Sequence, residues 1–432
     1  MSEQLAVGLL GYGTVGSGVA QIIHEHQEKL QHQIGCEVQV TKALVSDMGK
    51  EREVPSGHIE FTTDADDVIN DPKIDVVVEV MGSIEQARGY ILQALNNHKH
   101  VVTANKDLMA LHGTELLQVA NDKRCDLFYE ASVAGGIPIL RSLTEGLASD
   151  QIQKVMGIVN GTTNYILTKM ANDNRSYDDV LAEAQELGYA EADPTADVEG
   201  YDAARKVAIL ATLSFSMNID LDDVCVKGIS NVTEEDLAYS KQLGYTMKLI
   251  GLANRTEDQV EVSVQPALLP NEHPLASVKD EFNAAYVYGE AVGETMFYGP
   301  GAGKLPTATA VVSDLVEVMK NMRLGVNGNS AVLPQYEKNL KADEDIFAKY
   351  FIRLHARDLP GTFSSLTSLF SELDVSLEKI LQLPVPESDV AEIIIVTHNA
   401  SKSAYKSMLK QLNELDVVVE VKSSYRVEGE EA

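Results

Sequence analysis

Apolar and polar positions along this chain change period in a regular order. Leu5-Ala6-Val7-Gly8-Leu9-Leu10 is an apolar run that leads straight into Gly11-Tyr12-Gly13-Thr14-Val15-Gly16. Val19, Ile22 and Ile23 then recur at helical spacing, so a buried strand followed by a helix is predicted. Later runs at Val38 to Val45, Asp75 to Val80 and His100 to Thr103 have strand character. Helix-period stretches at 84–97 and 107–122 lie between them. Strands alternating with helices predict a parallel, doubly wound α/β sheet.

From about residue 140 longer helical patterns take over, at 141–148, 162–171, Asp178 to Leu187 and 202–216. Strand-like segments at 245–252, 259–266 and 284–290 follow, which reads as an α+β domain. A Gly-rich turn, Tyr298 to Gly303, starts a helix over Thr307 to Met322 that is expected to return to the first domain. Residues 324–347 are polar and irregular and read as a linker. The remainder orders itself as strand 350–356, helix 362–374, strand 390–397, helix 402–414 and strand 416–421. That pattern is taken as βαββαβ, a ferredoxin-like unit.

Composition limits the functional classes. A chain of 432 residues with 44% hydrophobic and 23% charged content suits two or three globular domains. A formal charge of −30 argues against nucleic-acid and anionic-membrane partners, which need Lys and Arg against phosphate. No apolar run approaches the roughly twenty residues of a membrane span. The N-terminus has no basic leader pattern and reads as a first strand. Cys36, Cys125 and Cys225 form no paired motif, which fits reduced thiols in a cytoplasm and gives a zinc site no support.

The glycine motif meets its contextual test, because it follows a strand and opens a helix. Gly11 allows the tight turn, Gly13 lets backbone approach a pyrophosphate, and Gly16 permits close helix–strand packing. An acidic residue near Ser46-Asp47 would bind ribose hydroxyls, whereas Lys50 and Arg52 suit a 2′-phosphate; the basic pair tilts the reading to NADP over NAD. Lys106, in Thr103-Ala104-Asn105-Lys106, sits at a strand's carboxyl end and reads as an active-site cation or a helix-start surface residue. Glu130 and the irregular Gly135-Gly136-Ile137-Pro138 turn that follows could wrap a hard cation through oxygens, or simply join strand to helix. Asn160-Gly161-Thr162-Thr163-Asn164 could hold a carboxylate or cap its own helix. Tyr189 and Glu191 follow Gly188, and Glu191 could accept an ammonium group. Five carboxylates lie between Glu191 and Asp202, and Lys206 stands one helical turn beyond the last. A metal ion, a substrate ammonium or the lysine itself could neutralise them, and a surface salt bridge is the plainer alternative.

Taken together these segments resemble homoserine dehydrogenase in its single-activity form, along essentially the whole chain. The segments are GYGTVGSG (11–18), TANK (103–106), YEASVAGGIP (129–138), NGTTNYIL (160–167), LGYAEADPTADVEGYDAARK (187–206) and GPGAGKLPTA (299–308). The resemblance implies a Rossmann-type dinucleotide domain over 1–140 with a return helix near 303–323. It also implies a substrate-binding and dimerisation domain over 141–302, the linker, and an ACT regulatory domain over 348–432. The implied reaction is reversible NAD(P)H-dependent reduction of L-aspartate 4-semialdehyde to L-homoserine, in threonine and methionine biosynthesis. Gly13, Thr14, Val15, Lys106, Gly188 and Gly303 would line the cofactor, and Glu191 and Asp202 the substrate, with Gly161, Thr162 and Tyr189 beside them. Lys206 would protonate the forming alkoxide, with Lys106 close to substrate and cofactor. A monovalent cation, sodium, would lie at Glu130 and the carbonyls of Val133, Gly135 and Ile137. Threonine is the implied effector, and a homodimer or tetramer the implied assembly. Two other readings stand beside this one: an oxidoreductase for another amino acid, and a non-catalytic nucleotide and amino-acid sensor.

Overall fold

The structure, a computed structural model, describes residues 4–54, 59–329 and 332–429. Residues 1–3 of the N-terminal stretch, 330 and 331 of the linker, and the last three residues lie outside the described residues. The chain divides into two compact units. The first comprises 1–159, 202–224 and 282–338, and the second comprises 160–201, 225–281 and 339–432.

In the first unit six parallel strands lie side by side in the order Glu60–Thr62, Glu37–Leu44, Gln4–Leu10, Val76–Glu79, His100–Thr103 and Leu127–Phe128. Val76–Glu79 is buried along its whole length, as a continuous apolar run covered on both faces should be. Chain order reverses between Gln4–Leu10 and Val76–Glu79, and open α/β sheets take ligands at the carboxyl ends of such strands. The helices Thr14–Glu25 and Lys304–Leu324 pack on one face. Val19, Ile22 and Ile23 share a core there with Ala308, Val311, Leu315, Val7 and Leu9. The same unit carries an antiparallel ladder of Ile152–Ile158, Phe282–Gly289 and Gly293–Pro300. The glycine-rich turn is therefore shorter than its sequence suggests, because Tyr298 to Pro300 finish a strand. The segment near 141–148 is not one regular helix but a short α-turn, Ile139–Arg141, running into a π-turn, Ser142–Gly146.

In the second unit a long hairpin, Tyr245–Thr256 with Gln259–Pro270, is joined by the helices Gly161–Asp173 and Glu234–Gln242. The C-terminal βαββαβ unit orders its antiparallel strands as Val418–Val427, Phe347–Arg357, Val390–Thr397 and Leu377–Pro384. Its core gathers Ile352, Leu354, Leu366, Phe370, Ile393 and Met408. Leu377–Pro384, which hydrophobic pattern alone does not single out, is an edge strand that alternates weakly and ends at a proline. The last strand also pairs in parallel with the hairpin, Ala267 opposite Arg426 and Leu268 opposite Val427. Arg426, buried, is bound there by Glu261 and Glu428.

Candidate active site

The structure brings Lys106, Asp202 and Lys206 together in the first unit. Lys106 opens the helix Lys106–Lys123, whose preceding Asn105 accepts from Leu108 N–H at 3.1 Å. A helix N-terminus is the wrong end for a cation, because the dipole is positive there. An anion close by must offset that, and Asp202 does so. Its carboxylate, 3% exposed, gives one oxygen to Lys106 and the other to Lys206 Nζ at 2.7 Å. Burial alone would raise the Asp202 pKa, but the two ammonium groups outweigh it and hold the carboxyl below its ordinary range. Lys206 Nζ also donates to the Val159 carbonyl at 2.7 Å. Two lysines thus converge on one buried anion, one of them fixed through two acceptors.

Residues behind Lys106 fix the start of its helix. Glu79, fully buried at its strand's end, accepts from Thr103 Oγ1 at 2.6 Å and from Met81 N–H at 2.8 Å. The Thr103 hydroxyl in turn accepts from Asn105 N–H at 3.0 Å, and Asn105 Nδ2 donates to the Ser83 carbonyl at 2.7 Å. Burial pushes the Glu79 carboxyl up, while the hydrogen bonds from Thr103 and the Met81 N–H oppose that.

The glycine loop has room for a ligand. Gly11 has φ +110°, a conformation that disfavours any side chain. A Cβ on Gly13 would meet no atom within 4 Å, whereas one on Gly16 would run into the Gly11 carbonyl oxygen. Thr14 and Val15 begin the helix Thr14–Glu25, whose first N–H groups are free to face an anion. Gly303, φ +119°, opens the helix Lys304–Leu324 in the same unit. At the end of the second strand Arg52 is held over the Phe61 ring and donates to the Lys50 carbonyl at 2.7 Å.

Glu130 is buried and caps the following turn, accepting from Leu140 N–H at 2.8 Å and Arg141 N–H at 2.7 Å. Burial raises its pKa, and those two N–H donors oppose the shift. The loop then passes through Ala134 and Gly135 at φ near +54° and +53°. The Ile137 carbonyl accepts from Ile139 N–H at 2.8 Å. Among the described residues no group of three or more His, Cys, Asp or Glu side chains forms a metal-binding cluster.

The second unit holds Gly161, Thr162, Gly188, Tyr189 and Glu191. Asn160 caps the helix Gly161–Asp173 through Thr163 N–H at 2.9 Å and donates from Nδ2 to Asp197 at 2.7 Å. Thr162 Oγ1 donates to the Tyr189 carbonyl at 2.5 Å, tying the helix start to the segment after Gly188. The Tyr189 ring lies 4.9 Å from Tyr165, yet it is 39% exposed. Glu191 is exposed, and its carbonyl accepts from Gln185 Nε2 at 3.0 Å. The acidic residues between are not one cage. Asp193 closes a turn on Thr195 at 3.1 and 2.6 Å, and Glu199 accepts from Ser230 Oγ at 2.7 Å.

Sequence reasoning did not find the Val159 carbonyl, the Asn160–Asp197 bond or the ion pair of Asp107 with Arg205 at 2.7 Å. A signal for the last was present, since Asp107 follows Lys106 and Arg205 precedes Lys206.

Three family models match the chain: "Homoserine dehydrogenase, NAD binding domain" over 11–130, "Homoserine dehydrogenase" over 138–316 and "ACT domain" over 350–417. A homoserine dehydrogenase of Bacillus subtilis is 64% identical over 428 residues, covering 99% of each chain. One from Corynebacterium glutamicum is 43% identical, covering 98% of this chain and 96% of its own. Among solved structures, a homoserine dehydrogenase from Thiobacillus denitrificans aligns with a TM-score of 0.93 at 39% identity over 98% of each chain. A hyperthermophilic archaeal homoserine dehydrogenase in complex with NADPH aligns at 0.61 and 27% identity, covering 73% of this chain and 97% of its own. With a parallel nucleotide-binding sheet, two lysines on one buried carboxylate and these matches end to end, the chain belongs to the homoserine dehydrogenase family.

Proposed function

We propose that this chain interconverts L-aspartate 4-semialdehyde and L-homoserine with an NAD(P) cofactor. The observation that carries the reading is the Lys106–Asp202–Lys206 cluster, within a chain that matches family members along its length. The dinucleotide supplies the hydride in one direction and takes it up in the other. Gly11, Gly13, Thr14, Val15 and Gly16 would hold its phosphates, with Lys106, Gly188 and Gly303 lining the rest; the open space at Gly13 fits that role. Lys206 Nζ holds the proton that goes to the substrate oxygen on reduction and accepts it on oxidation. Negative charge develops on that oxygen, so an ammonium group positioned beforehand lowers the barrier. Asp202 keeps both ammonium groups in place, and Glu191, exposed, is the acceptor for the substrate ammonium. Gly161, Thr162 and Tyr189 complete the substrate side.

The cofactor favoured is NADP, because Arg52 is held at the end of the second strand where a 2′-phosphate is read. For the cation, both Glu130 carboxylate oxygens already accept backbone N–H groups. Its share of a sodium site would then come from its own carbonyl, with those of Val133, Gly135 and Ile137. Neutral oxygens on a turned loop fit a hard, singly charged ion. The domain scheme proposed is a dinucleotide domain to residue 140, a substrate domain to 302, the return helix and linker, and the ACT domain from 348. Threonine acting on that ACT domain, a homo-oligomer, and a cytoplasmic location complete the reading.

The deciding assay is homoserine oxidation with NAD and NADP side by side, with threonine added and with sodium and potassium exchanged. Turnover faster with NADP, inhibited by threonine and dependent on the cation is expected. Lys206→Met should lose turnover and still bind NADPH. Turnover at the wild-type rate in that variant would sink the role given to Lys206.

A further inference from the structure

Lys106 and Asp107 open one helix, and Asp202, Arg205 and Lys206 lie in the first turns of another. Two ion pairs of opposite polarity join these turns. Lys106 of the first helix meets Asp202 of the second, and Asp107 Oδ1 of the first meets Arg205 Nε of the second at 2.7 Å. Farther along, Thr114 Oγ1 donates to Asn218 Oδ1 at 2.7 Å, beyond the end of the second helix. Five charged residues, Lys106, Asp107, Asp202, Arg205 and Lys206, thus meet at this corner of the two helices.

We propose that the Asp107–Arg205 pair is a positioning element for the two lysines, one that fixes helix register and keeps each charge with its own partner. The proposal rests on the reading of Lys106 and Lys206 given above. Alternating polarity makes register costly to change. A slip that set Lys106 against Arg205 and Asp107 against Asp202 would oppose like charges at both contacts. The pair also removes two competitors. Without Arg205, Asp107 becomes an unmatched carboxylate beside Lys106 and draws that ammonium away from Asp202. Without Asp107, the Arg205 guanidinium is free to claim Asp202 from the lysines. Each side chain of the pair is more than a quarter exposed, so its contribution to folding stability is small. Its effect is on geometry, and displacement of a reacting group by about 1 Å costs on the order of 10²-fold in rate.

The test measures homoserine oxidation, Michaelis constants and Tm for the full chain carrying Arg205→Met, Asp107→Asn, both together, Arg205→Lys and, separately, Lys206→Met. Arg205→Met should lower kcat by about 10- to 100-fold with Tm within a few degrees. Arg205→Lys should restore most of the rate, because Lys keeps the charge that neutralises Asp107. The double variant should be faster than Arg205→Met, since no unmatched carboxylate is left. Wild-type kcat in Arg205→Met, or a loss that follows Tm and is relieved neither by Arg205→Lys nor by the second substitution, overturns the proposal. If Arg205→Met does not fold, Arg205→Lys and Asp107→Asn decide it by the same comparison of kcat with Tm. An inactive Lys206→Met beside a fully active Arg205→Met defeats only the positioning role. A fully active Lys206→Met defeats the reading of the lysines, and the proposal with it.

Discussion

Lys206 Nζ sits 2.7 Å from an oxygen of Asp202, one helical turn earlier on the same buried face, and Lys106 takes the other oxygen. Asp202 is therefore the counter-ion of two lysines before any substrate arrives. Asp202→Asn keeps the shape and removes the charge. Turnover should fall by about 10²-fold or more, and Tm should drop. The folded Asp202 pKa lies below its unfolded value, so the native state binds fewer protons and stability is lost as pH falls through the acid range. The Tm gap between wild type and Asp202→Asn should accordingly narrow below about pH 4. A gap constant with pH would contradict the assignment of charge to Asp202.

Two glycines of one loop should fail in different ways. Gly13→Ala places its methyl in open space and should fold normally, with dinucleotide affinity down by about tenfold or more where the backbone must approach phosphate. Gly16→Ala meets the Gly11 carbonyl and should lower Tm through steric strain of roughly 1–3 kcal/mol. NADPH fluorescence titration and thermal melts of the two variants separate these outcomes.

Lys248 gives a titration in alkaline solution. It is buried, donating to Asn164 Oδ1 at 2.9 Å and to the Val278 carbonyl at 2.5 Å. Burial lowers its pKa to about 8, with Asp280 opposing. The neutral amine can still donate to both acceptors, so the penalty falls on the charge alone. The folded pKa is depressed, so the stabilising contribution is complete above the unfolded value and is lost as pH falls through about 8. Relative to Lys248→Met, wild-type Tm should rise between about pH 8 and pH 10. A flat difference across that window would refute it.

Asp197 acts on the second unit through Asn160. Asp197→Ala removes an acceptor worth about 1–2 kcal/mol and frees the side chain that caps the helix of Gly161 and Thr162. The homoserine KM should rise by a few-fold to tenfold with little change in kcat. A drop in kcat at constant KM would place Asp197 in the chemical step instead.

The residues also show how far one chain can be read unaided. Gly11 to Gly16 was legible because strand, turn and helix are neighbours in sequence, and Asp202–Lys206 because one helical turn is a local distance. Lys106–Asp202 spans 96 positions, and only tertiary packing brings the two together. The same holds for Asp107 with Arg205. Asp193, Asp197 and Glu199 looked like one cluster because charge was counted along the chain; folded, each binds a different residue, Thr195, Asn160 and Ser230 in turn. Leu377–Pro384 escaped because an edge strand exposes alternate residues that no core selects.

The final strand's parallel pairing with Gln259–Pro270 bears on any truncation that removes the C-terminal unit. Cutting near residue 348 would strip Ala267 and Leu268 of their partner strand and leave Glu261 buried without Arg426. An open sheet edge above an unneutralised carboxylate favours association and precipitation, so loss of activity in such a fragment would say nothing about regulation.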